Sequence, residues 1–271
     1  MKSFIFKSVL SVFIILLALN TNAQKISGKA TYISKTKMDL GSWGARMSEG
    51  QKKEMAARLQ NRLEKTYILS FNNKESVFLE EEKIDAISGA TDSWGGYFSR
   101  GDHYKNIQDT KLLQSQEFYG KRFLIKDNLY KIDWTMGTET KKIGDYTCYR
   151  AKAFVPYSEL NWYNFSWSDL SSISEGEDKK TEEKMIVVDA WYTPQIPTAQ
   201  GPAEFWGLPG LILEVSADNT TLLCTEIVIN KEEKVNIEAP DKGTEINKID
   251  YVSTVRKKMV EMRNNRMGRR G

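Results

Sequence analysis

The feature that most constrains this chain is a succession of short runs rich in β-branched and aromatic residues, several of them closed by turn pairs. Residues 66–71 run into Asn72-Asn73-Lys74, and Glu75 to Glu80 returns, the pattern of a hairpin. Residues 28–35 alternate in character, with Ala30 and Tyr32 on one side. Further strands are expected at 112–118, 121–125, 129–134, 146–154, 185–192, 211–216 and 222–230. Asp127-Asn128 reads as a turn between two of these, and Asp218-Asn219 joins the last two. Tight connections of this kind join antiparallel neighbours. Two stretches carry a helical period instead. Ser48 and Gln51 form a capping box ahead of Met55, Leu59 and Leu63, so an early helix should lay an apolar face on a sheet. From Ile249 onward, Val252, Val255, Met259 and Met262 make the stripe of a C-terminal helix. The pattern predicts an α+β protein: a mostly antiparallel, strongly curved sheet with an early and a C-terminal helix on one face. Residues 88–101, with Trp94, Tyr97 and Phe98, and the polar stretch up to Glu183 read as loops.

The N-terminus adds a destination. Lys2 and Lys7 precede an apolar run from Val9 to Leu19, and Asn20-Thr21-Asn22-Ala23 supplies a polar end with a small last residue. This reads as a cleavable signal peptide over residues 1–23, too short to span a bilayer comfortably. No cysteine stands at the cleavage point, so a lipid-anchored start is not expected. The expected location is the periplasm, the outer-membrane region or the medium. Residues 24–262 are read as one domain and 263–271, with four arginines and no acid, as a disordered basic tail. Losing Lys2 and Lys7 lowers the net charge from +3 to +1 (37 basic against 36 acidic residues), which argues against bulk nucleic-acid binding. Cys148 and Cys224 lie in expected strands. In an oxidising compartment they form either one disulfide, if those strands are close neighbours, or two separately buried thiols.

Four of the six prolines lie between residues 194 and 209. The segment opens with Trp191-Tyr192-Thr193-Pro194 and Pro197, passes Gly201-Pro202, and ends in Gly207-Leu208-Pro209-Gly210-Leu211-Ile212. Proline removes a ladder donor, so a strand must stop at Pro194, and Leu208-Pro209-Gly210 signals a turn before the next buried strand. The residues alone support a rigid crossover that places two strands, or a ligand site on it. The closing hexapeptide resembles the motif of the GLPGLI family of exported Bacteroidetes proteins. Residues 70–76, Trp134 with residues 139–148, and residues 259–263 look like other parts of the same family. That family has no established activity, so the resemblance implies a name and no chemistry. Residues 139–148 also look distantly like exported carriers of the lipoprotein-carrier type, which implies an incomplete β-barrel closed by helices around an apolar ligand.

Chemistry-bearing sets are sparse. His103 is the single histidine and reads as a loop residue, so no His-based zinc site or catalytic triad can form around it. No Walker loop, dinucleotide fingerprint or EF-hand spacing occurs, and no cofactor or metal is expected. Met259 and Met262 read as core contacts rather than Cu(I) ligands. Asp189 interrupts an apolar strand and either faces outward or needs an arginine partner. The expected function is a non-enzymatic binding module for an apolar ligand or a protein partner. Its site would be the crossover residues Trp191, Tyr192, Pro194, Pro197, Gly201, Pro202 and Gly207 to Ile212. The alternatives are an envelope hydrolase using Asp189 and Glu214, or a structural partner of an outer-membrane assembly.

Overall fold

The structure, a computed structural model, describes residues 26–37, 46–58, 63–81, 101–160, 162, 183–230 and 235–267. The signal segment, Leu59, the aromatic stretch with Trp94, Tyr97 and Phe98, most of the polar loop before Glu183 and the end of the basic tail lie outside the described residues. The strands are β1 (Ser27–Thr36), β2 (Glu64–Asn72), β3 (Glu75–Glu80), β4 (His103–Asn106), β5 (Lys111–Phe118), β6 (Lys121–Asn128), β7 (Thr135–Ile143), β8 (Tyr146–Pro156), β9 (Met185–Thr193), β10 (Leu211–Ala217), β11 (Thr220–Asn230) and β12 (Thr244–Ile246). The helices are α1 (Glu49–Arg58), α2 (Tyr157–Leu160) and α3 (Lys248–Met267).

All twelve strands join one sheet in the order β12-β6-β5-β4-β3-β2-β1-β11-β10-β9-β8-β7. Every pairing is antiparallel except the short parallel contact of β12 with β6. The expected hairpins at residues 72–74 and 218–219 form as read. Alternation sets the faces: Ala151, Ala153 and Val155 of β8 are buried with their partners Ala190, Val188 and Ile186 of β9, while Lys152 and Phe154 face away.

The sheet bends strongly. His103 of β4 and Val155 of β8 line the same pocket, although seven strand spacings, about 34 Å if flat, separate them along the sheet. Among the described residues the sheet nevertheless stays open, and the α+β, carrier-like class is overturned: the described residues are mostly β, with 52% strand and 17% helix. Two physical reasons account for this. Segments without clean alternation, β4 and β7, are strands as well. The helices do not close the concave side. On α1, Ser48 and Gln51 form the expected reciprocal cap, yet Met55 is only half-buried. α3 packs at the sheet's far end, where Tyr251, Val255 and Met259 meet Phe118, Phe123, Ile125 and Trp162. Asp127 and Asn128 are also not a turn: β6 runs through both, and the Asp127 carboxylate accepts from the Lys248 N–H at the start of α3 (3.1 Å). Residues 129–134 are irregular rather than a strand.

What fills the concave side is the crossover between β9 and β10. Ala203, Phe205, Leu208, Leu211 and Ile212 share one core with Tyr32, Leu69, Phe71, Phe78, Val155 and Val188. Irregular backbone brought into a core must have its polar groups satisfied. Here a buried lysine does much of this. Lys105 of β4 is fully buried, and its ammonium donates to the carbonyls of Gly201 (2.5 Å), Ala203 (2.6 Å) and Phe205 (3.1 Å). Three donors thus meet three acceptors. Gln200 is held likewise, accepting from Ser76 Oγ (2.8 Å) and donating to Asn72 O (3.2 Å). The Tyr32 hydroxyl donates to Ile212 O (2.6 Å).

Cys148 and Cys224 are buried free thiols on β8 and β11, strands with β9 and β10 between them. Burial pushes the Cys148 thiol up to about 11 and the Cys224 thiol to about 12.

Two outcomes follow. Lys105→Met leaves three buried carbonyls without their donor and should lower stability by on the order of 3 kcal/mol in urea unfolding; a loss below about 1 kcal/mol contradicts the stapling role. The thiols of the unfolded chain ionise from about pH 8.5, before those of the folded chain, so stability is retained below that pH and lost as pH rises toward the folded values. The urea midpoint should therefore fall between pH 8 and pH 10.5, and Cys148→Ala with Cys224→Ala should reduce that fall.

Candidate functional site

The crossover divides sharply. Tyr192, Gly201, Pro202, Leu208, Gly210, Leu211 and Ile212 are buried, whereas Pro194, Pro197, Gly207 and Pro209 are exposed and Trp191 is half-buried. The buried set is core rather than binding surface. Its backbone bonds show why glycine and proline recur. Leu211 N donates to Ile196 O (3.0 Å), Ile212 N to Gln200 O (3.1 Å) and Gly207 N to Ala199 O (2.9 Å), which folds the segment back on itself. A Cβ at Gly210 would collide with the Thr193 carbonyl, and Gly207 adopts φ 93°, a left-handed conformation suited to glycine. Two indoles pin the outer edge: Trp134 Nε1 donates to Trp206 O (2.8 Å), and Trp206 Nε1 to Tyr130 O (3.0 Å).

His103 is not a loop residue. It lies on β4, fully buried, two residues from Lys105 on the same face. With Tyr130, Glu159, Glu204 and Lys248 it lines a small cavity of about 10 Å³, room for about one water molecule. Lys248 Nζ is bound there by Glu159 (2.7 Å). Among the described residues no group of three His, Cys, Asp or Glu side chains is placed to hold a metal ion.

Asp189 and Glu214 share a face. Glu214 is the register partner of Trp191, and Ser216 that of Asp189, so all four point to the side of the sheet away from Ala190 and Val188. Each acid is held by a cation. Arg150 grips Asp189 through Nε (3.0 and 3.1 Å) and Nη2 and reaches Glu139 through Nη1 (3.0 Å). Lys141 binds Glu214 (2.7 Å). The bonds that Arg150 donates to Asp189 hold its guanidinium above its ordinary pKa. Both cations flank the Trp191 ring, Lys141 at 4.3 Å and Arg150 at 5.8 Å from its centroid. The two carboxylates are thus the acidic partners of an ion-pair network around a tryptophan, not a pair facing each other across a substrate.

Farther along the same face, Phe154, Val187 and Met185 are 67%, 53% and 48% exposed. Phe154 is the register partner of Val187, and Met185 lies opposite Pro156, so the three form one apolar patch beside the ion-pair network. The sequence reading missed this patch and the Lys105 staple. Strand alternation predicts the facing of Phe154 once β8 is placed, but residues 103–106 carry no signal that marks a strand.

No helix among the described residues is long and apolar enough to cross a membrane, which says nothing of strands. No curated protein matches this chain. Two solved structures, of PNGF-II in C2 and P21 crystal forms, are similar to it with TM-scores of 0.47 and 0.46 and 14% and 13% identity. Each likeness covers 85% of this chain but only 32% and 33% of the other, so this chain spans about a third of their length. A family model described as "Protein of unknown function (Porph_ging)" matches residues 134–214, from the indole that pins the crossover to the glutamate beside Trp191.

Proposed function

We propose that this chain is an exported, non-enzymatic binding module of the GLPGLI type whose partner is a protein, received on the face of β8 and β9 that carries Phe154, Val187 and Met185. The observation that carries this reading is the contiguous apolar patch. Exposed apolar clusters rimmed by polar groups mark interaction sites on soluble proteins. The rim here supplies Trp191 and Arg150, residue types enriched at interface hot spots. Part of that rim is already ordered by ion pairs, which lowers the entropy cost of association. The carrier reading loses its support, because Phe205, Leu208 and Ile212 occupy the concave side where an apolar ligand would sit. The signal segment and the Gly207–Ile212 motif support export and the family name.

The double variant Phe154→Lys with Val187→Glu tests the reading, since it replaces the apolar pair by opposite charges across the register. Both positions are exposed, so the thermal midpoint should move by no more than about 3 °C. Crosslinking in the envelope should give one discrete adduct with the wild-type chain, and the variant should lose it. An adduct of the same size and yield from the variant overturns the proposed face. Native mass spectrometry of the wild-type chain should show no co-purifying apolar molecule.

A further inference from the structure

Positive charge is concentrated toward the C-terminus. Residues 256–271 carry seven basic side chains and one acidic one, a balance of +6, so the other 255 residues sum to −3 (32 basic against 35 acidic). The fold brings further bases to the same place. α3 begins beside Asp127, at the end of β6, and Tyr251 then packs on Phe123 (5.3 Å between ring centroids). The helix therefore runs back along β6 toward its start, where Val255 and Met259 join the core around Phe118. Tyr251, Val255 and Met259 turn one side of α3 to the sheet, and Arg256, Lys257 and Lys258 stay exposed. Lys121 and Arg122, the first residues of β6, are exposed at the end that the helix approaches. Acids only partly offset these five bases. Glu117 is the register partner of Arg122, and Glu261 binds Lys258 (3.2 Å). Asp241 and Lys242, held near Arg122 through Gly243, add one charge of each sign.

The turn between β5 and β6 carries a second, independent signal. Phe118 pairs with Lys121, so Tyr119-Gly120 is a two-residue loop, with φ 49° and 74°. Positive φ at both positions marks a type I′ turn, whose first position favours Asn, Asp or Gly. A bulky tyrosine is strained there. Its ring is 50% exposed and meets Phe118 edge to face (4.7 Å). Backbone strain at an exposed aromatic residue points to use rather than packing.

Tyrosine among lysines and arginines is the chemistry of a membrane–water boundary. The ring sits at headgroup level, and the cations meet the anionic headgroups. We propose that this end of the protein, Tyr119 with Lys121, Arg122, Arg256, Lys257 and Lys258, binds an anionic lipid surface. Cations alone suit any polyanion; the exposed phenol at the tip of the turn selects the lipid boundary. The Phe154–Val187 patch lies on β8 and β9, near the other end of the strand order, and shares no residue with this surface.

Vesicle flotation tests the proposal. The chain from Gln24 onward keeps every described element and leaves out the apolar run from Val9 to Leu19. It should float with phosphatidylcholine vesicles that hold roughly 30% phosphatidylglycerol, an anionic surface, and stay behind with phosphatidylcholine alone. Salt raised from about 0.05 to about 0.5 M should release it. A basic residue near such a surface is worth about fivefold in affinity, so Lys121→Gln with Lys257→Gln should weaken binding roughly 25-fold. Tyr119→Asn installs Asn-Gly, the preferred pair for this turn. It should keep or raise the thermal midpoint while vesicle affinity falls. Equal flotation with neutral vesicles, no flotation at all, or either variant binding as the wild type does overturns the inference. So does an affinity for soluble polyglutamate equal to that for the vesicles, which marks a surface for acidic proteins instead.

Discussion

One ammonium group decides what kind of interior this protein has. A bent, open sheet leaves a concave side that must be filled, and here the filling is a stretch of irregular chain. Such a stretch brings carbonyls into an apolar environment without a ladder to receive them. Lys105 accepts that task by donating to Gly201, Ala203 and Phe205. Remove it and the segment still has apolar side chains to bury, but its backbone would favour water. The staple also explains a position that otherwise looks misplaced. A fully buried lysine on a four-residue strand is costly unless its donors are met, and all three are.

The same arrangement changes the meaning of the proline- and glycine-rich motif. In a carrier, a concave sheet is a container and the segments above it are doors. Here the motif is the content. Gly210 passes against the Thr193 carbonyl where no side chain fits, and Leu208 and Ile212 are fully buried beneath it. Proline fixes the extended path, glycine permits the close approach, and leucine and isoleucine fill the volume. A motif can recur for reasons of packing alone, and these residues have a packing reason at nearly every buried position.

Legibility followed the local strength of each signal. The turn at residues 72–74 was readable because Asn72 accepts from the N–H groups of Lys74 and Glu75, a local interaction needing no tertiary help. The α3 stripe was readable because Val255 and Met259 face one core, although Tyr251, the ring at its centre, lies just outside the stripe that was read. Asp127-Asn128 misled because the side chain that suggests a turn serves a distant helix start instead. β7 was missed because Thr-Glu-Thr-Lys-Lys carries polar side chains on both faces, as an edge strand with little to bury does. β4 was hidden by brevity, and its buried polar side chains, His103 and Lys105, give no apolar alternation to mark a strand. None of the long-range partnerships at the crossover has a sequence signal, because each joins residues 72 to 180 positions apart.

These facts bear on where function can reside. The cavity beside His103 admits about one water, and the concave side is packed. Asp189 and Glu214, the acids that suggested chemistry, are bound by Arg150 and Lys141. The outward surface of the described residues is not uniform. On the outward face near β1, Lys29 and Lys35 are exposed, and single apolar residues such as Val228, the register partner of Lys29, stand exposed among them. On β8 and β9 the exposed apolar residues are contiguous instead: Phe154 and Val187 are register partners, and Met185 lies two residues farther along the same face. This cluster sits next to the ordered Trp191 network.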